Sequence, residues 1–420
     1  MGDVLTRVRS LDVYLGDMLV AEVTTPRSAK MTLTYRDEAV ERFGPGAMAL
    51  SASLPVRPER YSPSEVAPFL EGLLPDGWAR GGLERRFDVH RVDSFSLLVV
   101  VGRECAGAVS LVPAGEPFPT APDHDGGGSV APLDEAEIAR RLAALETDPF
   151  GVDEDTRVTL AGTSWKLPLV RTPDGGWAAP RPGVWSTHLV RPEPPELVGL
   201  VATEAFALAA LRSAGVRVVA AEPATFAGRP ALVVERFDRR PGPGGGTLRI
   251  HQEDGCQALG APRAERSQRD GGPSLAELAD LVGDMTTDPA AELVHLLQWV
   301  AAGLVFGKVD GTARDLSLVY GEDECRLAPV ASMAGTADYP ERPRQLGLSV
   351  NGVDDLDHVG RAHLIAEAGR WDMPAEVAAA TVDDLLAALD ASLDPARSEV
   401  DPGDEVIIAC RTRLAALASP

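Results

Sequence analysis

Basic charge is scarce in this 420-residue chain: 40 lysines and arginines face 63 aspartates and glutamates, for a formal net charge of −23. The averaged field therefore repels phosphate backbones and anionic membrane surfaces, and direct nucleic-acid binding is not expected. Cysteine is scarcer still. Cys105, Cys256, Cys325 and Cys410 lie far apart and form no CxxC pair, which argues against a zinc site and fits reduced thiols in a cytosolic core. Long apolar runs are missing too. The longest, residues 293–306, carries His295 and Gln298 and reads as a buried helix, too short and too polar to span a bilayer. Near the start, Asp3, Arg7, Arg9 and Asp12 interrupt what a signal peptide would need, so a cytoplasmic location is expected.

What is present is enough for a sizeable core. Hydrophobic residues make up 45% of the chain, and the length allows two or three domains. The opening "LDVYLGDMLVAEVTT" alternates apolar and polar residues around Gly16, as an antiparallel hairpin does. A stretch rich in Pro, Gly and Asp at 113–134 lacks core residues and is expected to be a mobile connection. After it, "RVTLAGTSWKLPLVRTPDGGWAAP" predicts two strands with a turn at Pro173 to Gly176, and "WSTHLVRP" a third. "LVGLVATEAFALAALRSAG" has helical spacing and is closed by Gly215. "ATFAGRPALVVERFDRR" predicts another hairpin, and from about residue 274 the pattern is helical. The order is β-rich, then hinge-like, then helical. The predicted fold is α+β with two kinase-like lobes.

Within the helical half, "FGKVDGTARDLSLVY" at 306–320 stands out. An apolar helix runs into a short polar turn holding Asp310, and an apolar β-like run follows, the rhythm of a phosphotransfer loop.

These segments together resemble the HipA-type serine/threonine kinases over nearly the whole chain. "LSASLP", "PFLEGLLPDG" and "VGRECAGAVSLVP" look like that family's N-terminal subdomain. "LAGTSWK", "STHLVRPEP", "VVERFDRR", "HQEDGCQALG" and "DGTARDLSL" follow in the family's order and spacing. The resemblance implies an N-terminal subdomain over 1–115, a flexible linker over 116–134, a β-rich N-lobe and hinge over 135–240, and a helical C-lobe over 241–420.

It also implies roles. Gly162, Thr163 and Ser164 fall in the loop that covers the phosphates of ATP, although the residues alone read equally as an ordinary hairpin turn. Thr159 falls where the family can carry an autophosphorylated serine. Arg191 stands at the phosphate-binding lysine, with Glu204 as its helix partner; a plain ion pair between strand and helix is the competing reading. Glu235 and Phe237 match the adenine-binding hinge, Asp238 a position near the ribose, and Gln252 one close to the nucleotide.

The catalytic segment departs from the family. Lys308 replaces an asparagine, Asp310 matches the catalytic aspartate, Thr312 replaces a histidine, and Arg314 and Asp315 replace a Lys–Asn pair whose asparagine binds magnesium. "APVAS" puts Ser332 where the second magnesium ligand, an aspartate, belongs. Asp315 and Ser332 thus offer one carboxylate to a hard cation that prefers oxygen ligands, and make a weak site or none. Lys308 either substitutes for cationic charge or neutralises Asp310. The expectation is a HipA-like fold with ATP–magnesium phosphotransfer altered or lost. Three functions stay open: an interaction protein that meets a protein partner through its N-terminal subdomain; acid/base chemistry on a small molecule near Asp310; or a divergent toxin-like kinase.

Overall fold

The computed structural model describes residues 7–25, 30–119, 132–153, 156–242, 246–340 and 342–419. The first hairpin forms as its alternation predicts. Strands β1 (Ser10–Leu15) and β2 (Met18–Thr24) pair antiparallel around Gly16, whose φ of +65° suits a residue without a Cβ. With β3 (Thr32–Tyr35) and β4 (Val109–Pro113) they make a sheet of order β3-β2-β1-β4. Its apolar face packs on the helices Pro63–Gly72, Gly77–Phe87 and Ser94–Val101 around Leu11, Val13, Phe69, Leu83 and Leu98.

The expected linker is only partly within the described residues. Residues 120–131 lie outside them; at the near end Phe118 packs on Tyr14 with ring centroids 4.6 Å apart, and at the far end β5 (Pro132–Leu133) pairs with a strand of the second sheet. Both flanks of the connection are therefore structured.

The second sheet contains β5, β6 (Leu167–Arg171), β7 (Trp177–Ala178), β8 (His188–Pro192), β9 (Ala221–Phe226) and β10 (Arg229–Glu235), in the order β5-β7-β6-β8-β10-β9. The turn at Pro173 to Gly176 joins β6 to β7 as expected. The segment "LAGTSWK" differs: no strand precedes it, and Val158 makes a single parallel bridge to Glu104. Its flanking Val158 and Leu160 are buried in the N-terminal core. It is a loop hung on the N-terminal subdomain, not a hairpin turn.

The helix Leu200–Ser213, buried on nearly all sides, joins the sheet to the helical lobe by packing on Ala375–Glu399. A short ribbon, β11 (Arg239–Pro241) with β12 (Thr247–Arg249), follows the hinge. The helical half is not purely helical, since β13 (His251–Asp254), β14 (Ser317–Tyr320) and β15 (Cys325–Leu327) form a sheet and β16 (Gln345–Val350) and β17 (Val353–Asp355) a hairpin. Strand β14 is the β-like run expected after Asp310; pattern reading passed over the others, which are only three to six residues long. The apolar helix Pro289–Phe306 meets the length and composition of a membrane span, yet it runs through the largest core with Leu296, Leu297, Ala301, Ala302 and Val305 inside. Asp288 caps its start and Gly307, at φ +72°, ends it. That stop delivers Lys308 and Asp310 to the cleft.

Glu253 joins the N-terminal subdomain to the helical lobe. Its carboxylate accepts from Ser51 Oγ, the Ala52 N–H at 2.8 Å and the Tyr320 hydroxyl. Burial pushes this acid up to about 7, against the pull of the Ser51 and Tyr320 hydrogen bonds. A folded-state value above the ordinary 4.5 means that the folded chain binds the proton more tightly. The associated stability is full below the ordinary value and is lost as pH rises toward 7. Glu253→Gln is therefore expected to flatten the fall in denaturation midpoint between pH 5 and 8, measured as the difference from wild type; identical slopes would show that Glu253 is not charged in this way.

Candidate functional site

The residues singled out in the sequence fall mainly on the loop 159–166 and on the segment that follows Pro289–Phe306, two walls that Asp76 bridges. On the first side, Gly162 has φ +94°, and the Lys166 ammonium donates to the Ala161 carbonyl. Burial, together with the nearby Arg191 and Arg236 guanidiniums, pushes Lys166 down to about 7. Lys166, which the sequence reading did not single out, is a candidate anion contact, because an anion placed beside it would favour its charged form. The signal was present as the lysine closing "LAGTSWK". Thr163 and Ser164 are exposed at the loop tip. Thr159 is fully buried, with its hydroxyl donating to the Leu73 carbonyl at 2.9 Å. A phosphoryl group reaches that hydroxyl only if the loop leaves its seat.

Behind the loop, Arg191 on β8 and Glu204 on the helix Leu200–Ser213 form the ion pair anticipated as one reading, at 3.1 Å. Glu204 Oε1 also accepts from Ser332 Oγ at 2.7 Å and from the Met333 N–H at 3.2 Å. Arg191 reaches the Ala331 carbonyl at 3.4 Å, and its Nε is buried without a hydrogen-bond partner among the described residues.

On the second side, Lys308 Nζ stands 3.2 Å from Asp310 Oδ1 and 3.1 Å from Asp315 Oδ1. Its side chain is 5% exposed whereas that of Asp310 is 61% exposed. Against the penalty of burial, the two carboxylates hold the Lys308 ammonium above its ordinary range. Asp315 is engaged on both oxygens, since Oδ2 accepts from the Thr312 N–H at 3.0 Å. Of the two alternatives for Lys308, the geometry matches the salt bridge to Asp310, and the same ammonium bridges to Asp315.

Magnesium does not fit this donor set. A divalent ion would share Asp310 and Asp315 with an ammonium already bridging them, and the hydroxyl of Ser332 is committed to Glu204. Among the described residues no group of three His, Cys, Asp or Glu side chains is arranged to hold a metal.

The hinge residues separate. Glu235 is exposed and Phe237 half-buried at the end of β10. Asp238 is 2% exposed; its carboxylate takes Arg236 at 2.8 Å, Arg239 at 3.1 Å and the Gly107 N–H at 2.7 Å. In place of an open ribose-facing position it has a saturated ionic one. Arg236 and Arg239 also share Glu104, each at 3.1 Å, so this network ties the N-terminal subdomain to the hinge. Gln252 on β13 reaches Asp238 Oδ2 at 3.5 Å, and Asp254 caps the short helix Gly255–Ala258 through the Gln257 N–H at 2.9 Å.

A curled antiparallel sheet over a helical lobe, with a glycine loop facing an aspartate loop across the cleft, defines a kinase-like two-lobed protein with an added N-terminal subdomain. Comparison with known proteins makes the class specific. Residues 11–112 match the HipA N-terminal domain and 158–393 the HipA-like C-terminal domain. A putative kinase, Y4mE, from Sinorhizobium fredii is 34% identical over 367 residues, covering 86% of each chain. The serine/threonine-protein kinase toxin HipA of Shewanella oneidensis is 25% identical over 361 residues, 83% of this chain and 79% of the relative. The Shewanella HipA structure, solved with HipB and operator DNA, superposes with a TM-score of 0.81 at 22% identity, over 97% of this chain and 95% of that one. The chain belongs to the HipA family.

Proposed function

We propose that this protein is a cytoplasmic HipA-type kinase-fold protein in which ATP–magnesium phosphotransfer is altered or lost while the cleft still receives an anionic ligand such as a nucleotide. The observation that carries the reading is the Lys308 ammonium between Asp310 and Asp315. That ammonium draws on the carboxylate oxygen which would take a substrate hydroxyl's proton, and it occupies the place of the cation that would steady a departing phosphate. Misplacing a reacting group by about an ångström costs roughly 100-fold in rate, and a fixed ammonium tethered to the backbone lacks the freedom to follow the phosphate. The anion-binding half of the cleft is better kept. Lys166 poised near neutrality and the unpartnered Nε of Arg191 both favour a negative ligand.

In this reading the N-terminal subdomain meets a protein partner; the Shewanella relative was solved in a complex with HipB. The acidic surface suits a basic partner. Direct contact with nucleic acid is left to that partner.

Thermal-shift titration with ATP, in magnesium and in EDTA, tests the reading. Equal stabilisation in both conditions, lost in Arg191→Ala, is expected. Stabilisation that requires magnesium would overturn the proposal in favour of a divergent working kinase, and none in either condition would remove ATP as the ligand.

A further inference from the structure

The turn Leu73 to Trp78 of the N-terminal subdomain touches both walls of the cleft. Toward the glycine loop, the Leu73 carbonyl accepts the Thr159 hydroxyl at 2.9 Å. The Asp76 N–H donates to the Gly162 carbonyl at 3.2 Å, and Trp78 Nε1 donates to the Thr163 carbonyl at 2.7 Å. The Trp78 and Trp165 rings meet edge to face, with centroids 5.1 Å apart. The bridge to Glu104 holds the base of the glycine loop, and among the described residues these contacts hold its tip.

Toward the other wall, the Asp76 side chain turns away from the helix it precedes. Asp76 stands at the N-cap of Gly77–Phe87 but makes no side-chain cap hydrogen bond, although aspartate is among the preferred residues there. Its carboxylate, on a residue 2% exposed, instead takes Arg314 of the Asp310 segment, Arg263 at 2.7 Å and Arg266 at 3.4 Å. Arg314 lies next to Asp315, which holds Lys308. One residue therefore contacts the glycine loop through its backbone and the aspartate loop through its side chain.

We propose that Asp76 is a positioning residue that couples the two loops, with Trp78 steadying its turn against the glycine loop, so that the seating of the N-terminal subdomain sets the spacing between them. The coupling is independent of whether the cleft transfers phosphate. A ligand or partner that shifts the subdomain would reach both loops through this turn, and two rigid backbones gripped by one short turn move together.

Hydrogen–deuterium exchange of the full chain tests the coupling without any ligand. Arg314→Gln is expected to raise exchange about tenfold in 159–166, because its link to that loop runs through Asp76. Trp78→Phe keeps an aromatic ring, smaller than the indole, but removes the N–H donor, and is expected to raise exchange in 159–166 while sparing 308–316. A rise confined to 308–316 in Arg314→Gln would overturn the proposal. So would an even rise that includes the core helix Pro289–Phe306, since that is general loosening. If Arg314→Gln fails to fold, the milder Arg314→Lys takes its place: a rise in 308–316 beside unchanged exchange in 159–166 would overturn the coupling.

Discussion

Replacing Asp238 by alanine is expected to lower the unfolding free energy by about 3–5 kcal/mol, because it leaves the Arg236 and Arg239 guanidiniums buried with one carboxylate, Glu104, between them. Arg236, Arg239 and Glu104 are all at most 6% exposed, so water cannot take over the lost interaction. The Gly107 N–H loses its acceptor at the same time, and leaving a buried donor unmade adds to the cost. The loss falls on the joint between subdomain and hinge. Denaturant titration should therefore show the N-terminal sheet separating earlier than the helical lobe. A change below about 1 kcal/mol would mean that the network is solvated, as surface ion pairs are.

Removing Lys308 is expected to have the largest effect on the cleft. In Lys308→Asn with Ser332→Asp, the ammonium is gone and a third carboxylate joins Asp310 and Asp315, a donor set of hard oxygens that suits magnesium. Magnesium should then raise the melting temperature of the variant and strengthen its response to ATP, where it does neither in wild type. Lys308→Asn alone should give a smaller gain, because Ser332 stays on Glu204. If the double variant ignores magnesium, the bridging ammonium is not what excludes the metal.

Much of the fold was legible because its signals are local. Alternation around Gly16, the strand "STHLVRP" before the Glu204 helix, and the stop at Gly307 each depend on neighbours within one or two turns of chain. The Arg191–Glu204 pair was legible for the same reason, being 13 positions apart on adjoining elements. The rest depends on distance that composition does not encode. Asp76 meets Arg314 across 238 positions, and Asp238 is held by the Gly107 N–H and, through Arg236 and Arg239, tied to Glu104 of another subdomain before any ribose arrives. The Lys308 bridge hid differently: its three residues are quoted together in one loop, but only side-chain direction separates a lysine facing solvent from one lodged between Asp310 and Asp315. For the loop 159–166, the competing reading as an ordinary hairpin turn fails because its supporting partner is the N-terminal subdomain.

The central claim concerns phosphate transfer, and intact-mass measurement after incubation with ATP and magnesium addresses it most directly. The account predicts no one-phosphate gain in mass for wild type, with Thr159 unmodified on peptide mapping. A stoichiometric gain that disappears in Asp310→Asn would contradict it, since Asp310 would then be acting as the base of a working kinase despite the ammonium beside it.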